Sequence, residues 1–240
     1  MKDVGEFEKR NKEFDLKFSR EIIIKKSVQS DKPIIFDIGA HHGESIDYLT
    51  SIFPVAEIFS FEPDPESFNI LSKKNLNNAK IYNLALTDKT GVSNFYRNKI
   101  THTNSLYRVN LKSKDSIKFS QKSEDDKGEY EQDFNTSIEV LTMTLDQFTK
   151  EHSIDNIDLI KIDVQGAEES VLSGGKDSIN NASAIIIEVS FYDYYEKSTS
   201  FIDIERYLIP LGFKIFGILD ISRNPMNGRT DWVEVLYIKD

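Results

Sequence analysis

The sequence predicts an α/β fold, a doubly wound and mostly parallel sheet whose last strand runs antiparallel. Three observations carry that prediction. Short, continuously apolar and β-branched runs such as Ile34–Ile38 and Ala184–Val189 recur along the chain, as in strands covered on both faces. Stretches of helical spacing separate most of these runs, which makes them parallel. The final two apolar runs follow each other with no helix between, so they pair antiparallel.

Residues 1–30 mix charges with Phe7, Phe14 and Phe18 at helical spacing, which predicts one amphipathic helix packed on a main domain at 31–240. The first strand, Ile34–Ile38, ends at glycine and is followed by a helix from about Glu44 to Phe53. Ile58–Phe61 repeats the strand type, Ser67–Asn77 reads as a helix, and Ile81–Leu86 as a third strand. Leu159–Ile162 and Ala184–Val189 are the fourth and fifth, with a helical piece from Ala167 between them. Phe201–Leu208 is a helix stopped by Pro210 and Gly212, and Phe213–Ile218 and Trp232–Ile238 are the closing strands. Between about 97 and 135 the chain is polar, densest in charge at KSEDDKGEYEQD; an insertion of that length is either a solvated loop or a lid.

Composition narrows the function. The 240 residues carry a net charge of −10, which a phosphate backbone would repel, so no nucleic-acid partner is expected. The absence of cysteine removes thiolate metal sites and thiol nucleophiles. The N-terminus lacks the apolar stretch of a secretory signal, and no apolar run approaches a membrane span, so the expected location is cytoplasmic.

The first strand runs into Asp37-Ile38-Gly39-Ala40-His41-His42-Gly43, a D-x-G-x-x-x-G loop that opens a helix. In such sheets ligands bind at the carboxyl ends of the strands, and the glycines let the backbone turn and approach a ligand. A dinucleotide fingerprint starting at Gly39 needs glycines where His41 and Glu44 stand. S-adenosyl-L-methionine has no phosphate and needs only the turn glycine and a later packing glycine. Glu62 ends the second strand, where a carboxylate accepts hydrogen bonds from vicinal ribose hydroxyls. The expected cofactor residues are Asp37, Gly39, Ala40, Gly43, Glu62, Pro63, Ala85 and Asp163.

With those residues in place the chain resembles the FkbM-type methyltransferases. Lys161-Ile162-Asp163-Val164-Gln165-Gly166-Ala167-Glu168 resembles that family's K-I-D-V-[EQ]-G-A-E signature. Thr144-Leu145-Asp146, Leu172–Gly175 and Ile186–Val189 resemble its flanking segments, and the likeness covers roughly 34–190. The resemblance implies a seven-stranded, Rossmann-like class I methyltransferase fold and methyl transfer to a hydroxyl, commonly on sugars or secondary metabolites. The family usually carries Asn or a small residue where His41 stands.

A hydroxyl is a poor nucleophile at neutral pH, so a general base helps. Asp163, at the carboxyl end of the fourth strand, is the first candidate; its competing role is to cap the next helix through the amides of Gln165 or Gly166. Glu188, set among apolar residues, is the second, and His41 is a weaker third. His102 reaches the site only if the polar insertion covers it. Tyr192, Tyr194 and Tyr195 are as suited to a substrate wall as to packing, whereas Trp232 reads as core. No required metal is expected, although Asp163 with Glu188 has the oxygen ligands for Mg²⁺. The leading expectation is therefore O-methylation of a small-molecule or glycan acceptor. N-methylation of an amine or protein, a non-catalytic binding module and a nicotinamide dehydrogenase are the alternatives.

Overall fold

The computed structural model describes residues 4–113, 134–225 and 228–239. Its centre is a seven-stranded sheet in the order β3-β2-β1-β7-β8-β10-β9. The strands are β1 (Ile34–Ile38), β2 (Glu57–Phe61), β3 (Ala79–Tyr82), β7 (Ile157–Ile162), β8 (Ala182–Ser190), β9 (Phe213–Arg223) and β10 (Thr230–Lys239). The β1–β2, β2–β3, β1–β7 and β7–β8 pairs are parallel, and β10 runs antiparallel to both β8 and β9. The antiparallel last strand is as expected from the sequence.

Successive residues of the central strands feed opposite faces. In β1, Ile35 joins one core with Ile58, Leu159 and Ile186, while Phe36 and Ile38 join the other with Phe61, Ile160 and Ile187. Both sets are buried, which is why these strands read as unbroken apolar runs rather than as an alternation. Helix α3 (Glu44–Ile52) covers one face through Ile46 and Leu49. The other face is covered by α5 (Leu145–Glu151), α6 (Glu168–Ser173), α7 (Lys176–Asn180) and α8 (Phe201–Leu208). On that side Phe148 of α5 meets Phe61 edge-on at 4.7 Å. α4 (Pro65–Leu71) is capped by Asp64 and ends six residues before Asn77, the end expected from sequence.

Two regions depart from the expectations. The N-terminal segment is two helices, α1 (Val4–Lys17) and α2 (Arg20–Ser27), because Ser19 takes an extended conformation and its side chain accepts the Ile22 amide. Only α2 packs on the domain, through the buried Ile24; Phe7 and Phe14 of α1 stay half exposed. The expected third strand is also split. β3 ends at Tyr82, and β4 (Ala85–Leu86) pairs instead with β6 (Thr136–Met143), which also pairs with β5 (Gly91–Arg97) in a second, three-stranded sheet. The densely charged stretch 122–133 lies outside the described residues.

Candidate active site

The carboxyl ends of β1, β2, β7 and β8, with β10 beside them, open onto a cleft of about 590 Å³. It lies over the β1–β7 junction, where the order of connection reverses and ligands of open α/β sheets bind.

One end of the cleft is built by the glycine loop. Gly39 has φ +94°, and a Cβ there would lie 1.9 Å from the carbonyl oxygen of Asp163, so only glycine lets the loops after β1 and β7 meet. The amides of Gly39 and Ala40 both donate to the Phe61 carbonyl at 3.0 Å, tying the loop to β2. Glu62 follows directly. Its carboxylate accepts the His41 amide at 2.7 Å and the Asp64 amide at 2.8 Å, and Asn83 donates to the Glu62 and Pro63 carbonyls. Burial pushes the Glu62 pKa up to about 8, against the pull of those two amides. No cation of the described residues forms an ion pair with it. A buried carboxylate with its own backbone donors and no cation suits a ligand that brings neutral donors, as vicinal ribose hydroxyls do. Gly39, Ala40, Glu62, Pro63 and Ala85 all line the cleft.

Two expected cofactor contacts do not. Asp37 is fully buried beneath the loop, where it accepts the Ser60 hydroxyl at 2.8 Å; burial raises its pKa and the Lys161 charge opposes that shift. Gly43 faces α4, where a Cβ would meet the Leu71 Cδ1 at 2.6 Å, so it is a packing glycine. Both residues support the loop from behind.

The other end is acidic. Asp163 projects into the cleft and accepts Lys161 Nζ at 3.1 Å and Gln165 Nε2 at 2.9 Å. It does not cap the following helix, because the Gly166 amide donates to Glu168 instead, at 2.9 Å. Burial acts to raise the Asp163 pKa, but the Lys161 charge and the two side-chain donors hold it below the usual range. Glu188 is pushed well above the usual range by burial and by the Asp163 and Glu168 charges. Glu234 on β10 stands opposite Glu188 in register and is ion-paired with Arg20 of α2. Burial lowers the Lys161 pKa, yet Asp163, Asp37 and Glu234 together raise it above normal.

Gln165 holds these parts together. It sits at φ +57°, in the left-handed region that is strained for a residue with a side chain. From there Nε2 donates to Asp163 and, at 3.3 Å, to Glu188, while Oε1 accepts the Tyr195 hydroxyl at 2.9 Å. Glu168 is buried beneath this turn with its pKa raised to about 7 by burial.

The described start of the polar insertion runs along the cleft. Thr101 pairs with His41 Nε2 at 3.0 Å, Ser105 donates to the Gln165 carbonyl at 2.7 Å, and the Thr103 carbonyl accepts the Tyr195 hydroxyl at 3.0 Å. His102 lines the cleft from this strap, together with Tyr192, Tyr194 and Tyr195. Trp232 also lines it and is only partly buried, which corrects its reading as core: the side chain sits at the mouth end of β10 rather than between the sheet and helices.

His41 itself has a pKa lowered by burial and by the neighbouring His42. Among the described residues one group, His41, His42 and Glu44, has ligand atoms within 4.8 Å of one another. The two imidazoles stack at 3.7 Å, however, so their in-plane lone pairs run nearly parallel instead of converging on one ion.

The sequence reading missed Arg20, Tyr48, Gln165 and Glu234 as parts of this cleft. Gln165 lies inside the K-I-D-V-Q-G-A-E signature, and that position was the available signal; its left-handed turn is seen only in the fold. Arg20 and Glu234 have none, since they meet across 214 residues of chain.

Sheet order, glycine loop and buried Glu62 define a class I methyltransferase that uses S-adenosylmethionine. The chain belongs to the FkbM methyltransferase domain family, which matches residues 37–215. It is 29% identical over 184 residues to the 2-O-methyltransferase NoeI of Sinorhizobium fredii, covering 75% of this chain and 72% of that one. Among solved structures it is similar to SMU.1697c from Streptococcus mutans in complex with SAH (10% identity, TM-score 0.48, 90% and 94% of the two chains). It is similar also to an rRNA methylase from Streptococcus thermophilus (10%, TM-score 0.48, 91% and 93%). Among the described residues no helix is long and apolar enough to cross a membrane.

Proposed function

We propose that the chain methylates a hydroxyl oxygen of a sugar or similar small hydroxylated metabolite, with Glu188 as the general base. The observation that carries this reading is the raised pKa of Glu188 beside the lowered one of Asp163, two carboxylates joined by the amide of Gln165. A carboxylate whose pKa is raised is the stronger proton acceptor once ionised, which favours Glu188 over Asp163, held low by Lys161. This reverses the order in which the sequence ranks them. Asp163 keeps a positioning role, holding Lys161 and Gln165. His41, with its ring against Thr101, stays a weaker third candidate for the base.

When bound, the cofactor supplies a methyl carbon activated by a positively charged sulfur. Gly39, Ala40, Glu62, Pro63 and Ala85, which line the cleft, would hold it, with Asp163 toward its amino-acid end. Glu188 takes the proton of the acceptor hydroxyl, while the tyrosines and the strap exclude water. The 2-O-methyltransferase relative supports an oxygen acceptor, and the aromatic lining supports a sugar ring. A net charge of −10 supports a small molecule over nucleic acid, and a cytoplasmic site of action fits that cofactor.

The test is a screen of pyranosides and other polyols against matched amines, reading S-adenosylhomocysteine release. Turnover with hydroxyl acceptors, lost in Glu188→Gln, is expected; turnover with the amines alone refutes the reading.

A further inference from the structure

We infer that Arg20, from helix α2, binds the α-carboxylate at the amino-acid end of the cofactor. Glu62 fixes the adenosine end at β2, so the rest of an extended ligand runs across β1 and β7 toward β8 and β10. A zwitterionic amino-acid group arriving there needs a cation for its carboxylate. Setting the histidines aside, the described cleft lining offers two, Lys161 and Arg20. Lys161 is committed, bonded to Asp163 and flanked by Asp37 and Glu234.

Arg20 has capacity to spare. One Nη is paired with Glu234, and its Nε is buried without a hydrogen-bond partner among the described residues. The side chain is still 32% exposed and lines the cleft, so it is the Nη end of the guanidinium that is open to an acceptor. The guanidinium stands 4.8 Å over the ring of Tyr48, on the helix that opens directly after the glycine loop, so it is held on the cofactor side of the cleft. Its planar fork matches a carboxylate in a way a lysine does not. Arg20 lies outside the matched segment 37–215, so the family motifs do not point to it.

The test is calorimetry on the full chain with S-adenosylmethionine and its decarboxylated analogue, which keeps the sulfonium and the adenosine. The native protein should prefer the carboxylated ligand by about 10- to 100-fold, the span of a charge-assisted bidentate contact. Arg20→Ala should erase that preference by weakening only the carboxylated ligand, and Arg20→Lys should restore part of it. General damage to the fold weakens both ligands alike and leaves their ratio intact, so the ratio is the deciding readout. An unchanged ratio in both variants overturns the assignment, as does a loss confined to acceptor binding.

Discussion

At the β2 end of the cleft a single carboxylate, Glu62, is held by two backbone amides and has no ion-pair partner among the described residues; at the β7–β10 end three carboxylates share Lys161 and Arg20. The first arrangement is local, made within one loop and the strand beside it. The second is assembled from the loop after β7, two antiparallel strands and an N-terminal helix. An acid held by backbone amides suits a ligand common to every turnover, whereas a network of shared charges pushes Glu188 up while it holds Asp163 down. The contrast teaches which residues should affect binding and which should affect rate.

The sharpest way to break that division is Glu188→Gln. It should lower kcat by about 10²- to 10⁴-fold, with cofactor affinity by calorimetry unchanged. A matched loss of cofactor affinity would erase the distinction between the two ends. Next in size, Glu62→Gln should weaken S-adenosylmethionine binding by about 10- to 100-fold, the worth of one or two hydrogen bonds to a charged group.

The same substitution sharpens the comparison through pH. The pKa of Glu62 rises from 4.5 to about 8 on folding, so its contribution to stability is fully present below 4.5 and is lost as pH climbs through 8. At pH 7 the ligand-free Glu62→Gln chain should therefore be more stable, by up to about 3 kcal/mol. Thermal melts at pH 5 and pH 8 measure this, and the gap between the two chains should widen at the higher pH. Binding follows the opposite sign, because ribose hydroxyls favour the ionised form. Affinity for the cofactor should rise up to tenfold per pH unit toward 8 and then level off, with proton release detectable in buffers of different ionisation enthalpy. The smallest effect is expected far from either end: Phe14→Ser on the exposed α1 should change stability by less than about 0.5 kcal/mol in urea titration.

The difference between the ends also explains what was readable beforehand. The central strands are legible because burial on both faces leaves mostly apolar residues, and the Glu62 end because its glycine loop and Glu62 both fall within residues 37–62. β5 and β6 were hidden: Thr136–Met143 is mostly exposed or half exposed, so its pattern is weak, and β4, only two residues long, pairs in the second sheet instead of the main one. The helical spacing of Phe7, Phe14 and Phe18 was real, but it could not show that Ser19 breaks the segment or that α1 finds no core. Asp163 and Glu188 were identifiable as carboxylates at strand ends, yet their opposite titration depends on Lys161 and Gln165, whose directions only the fold sets.

Gly39 ties the two ends into one mechanical unit. With no side chain to separate them, the turn that carries the donor and the turn that carries Asp163 rest directly against each other, and the Asp163 amide donates to the Ile38 carbonyl at 3.0 Å. The spacing between the glycine loop and the Asp163 turn is thus set by backbone contact rather than by flexible chains. A single extra methyl at position 39 would act as a wedge, forcing the two turns apart while leaving every charged group of the cleft in the sequence.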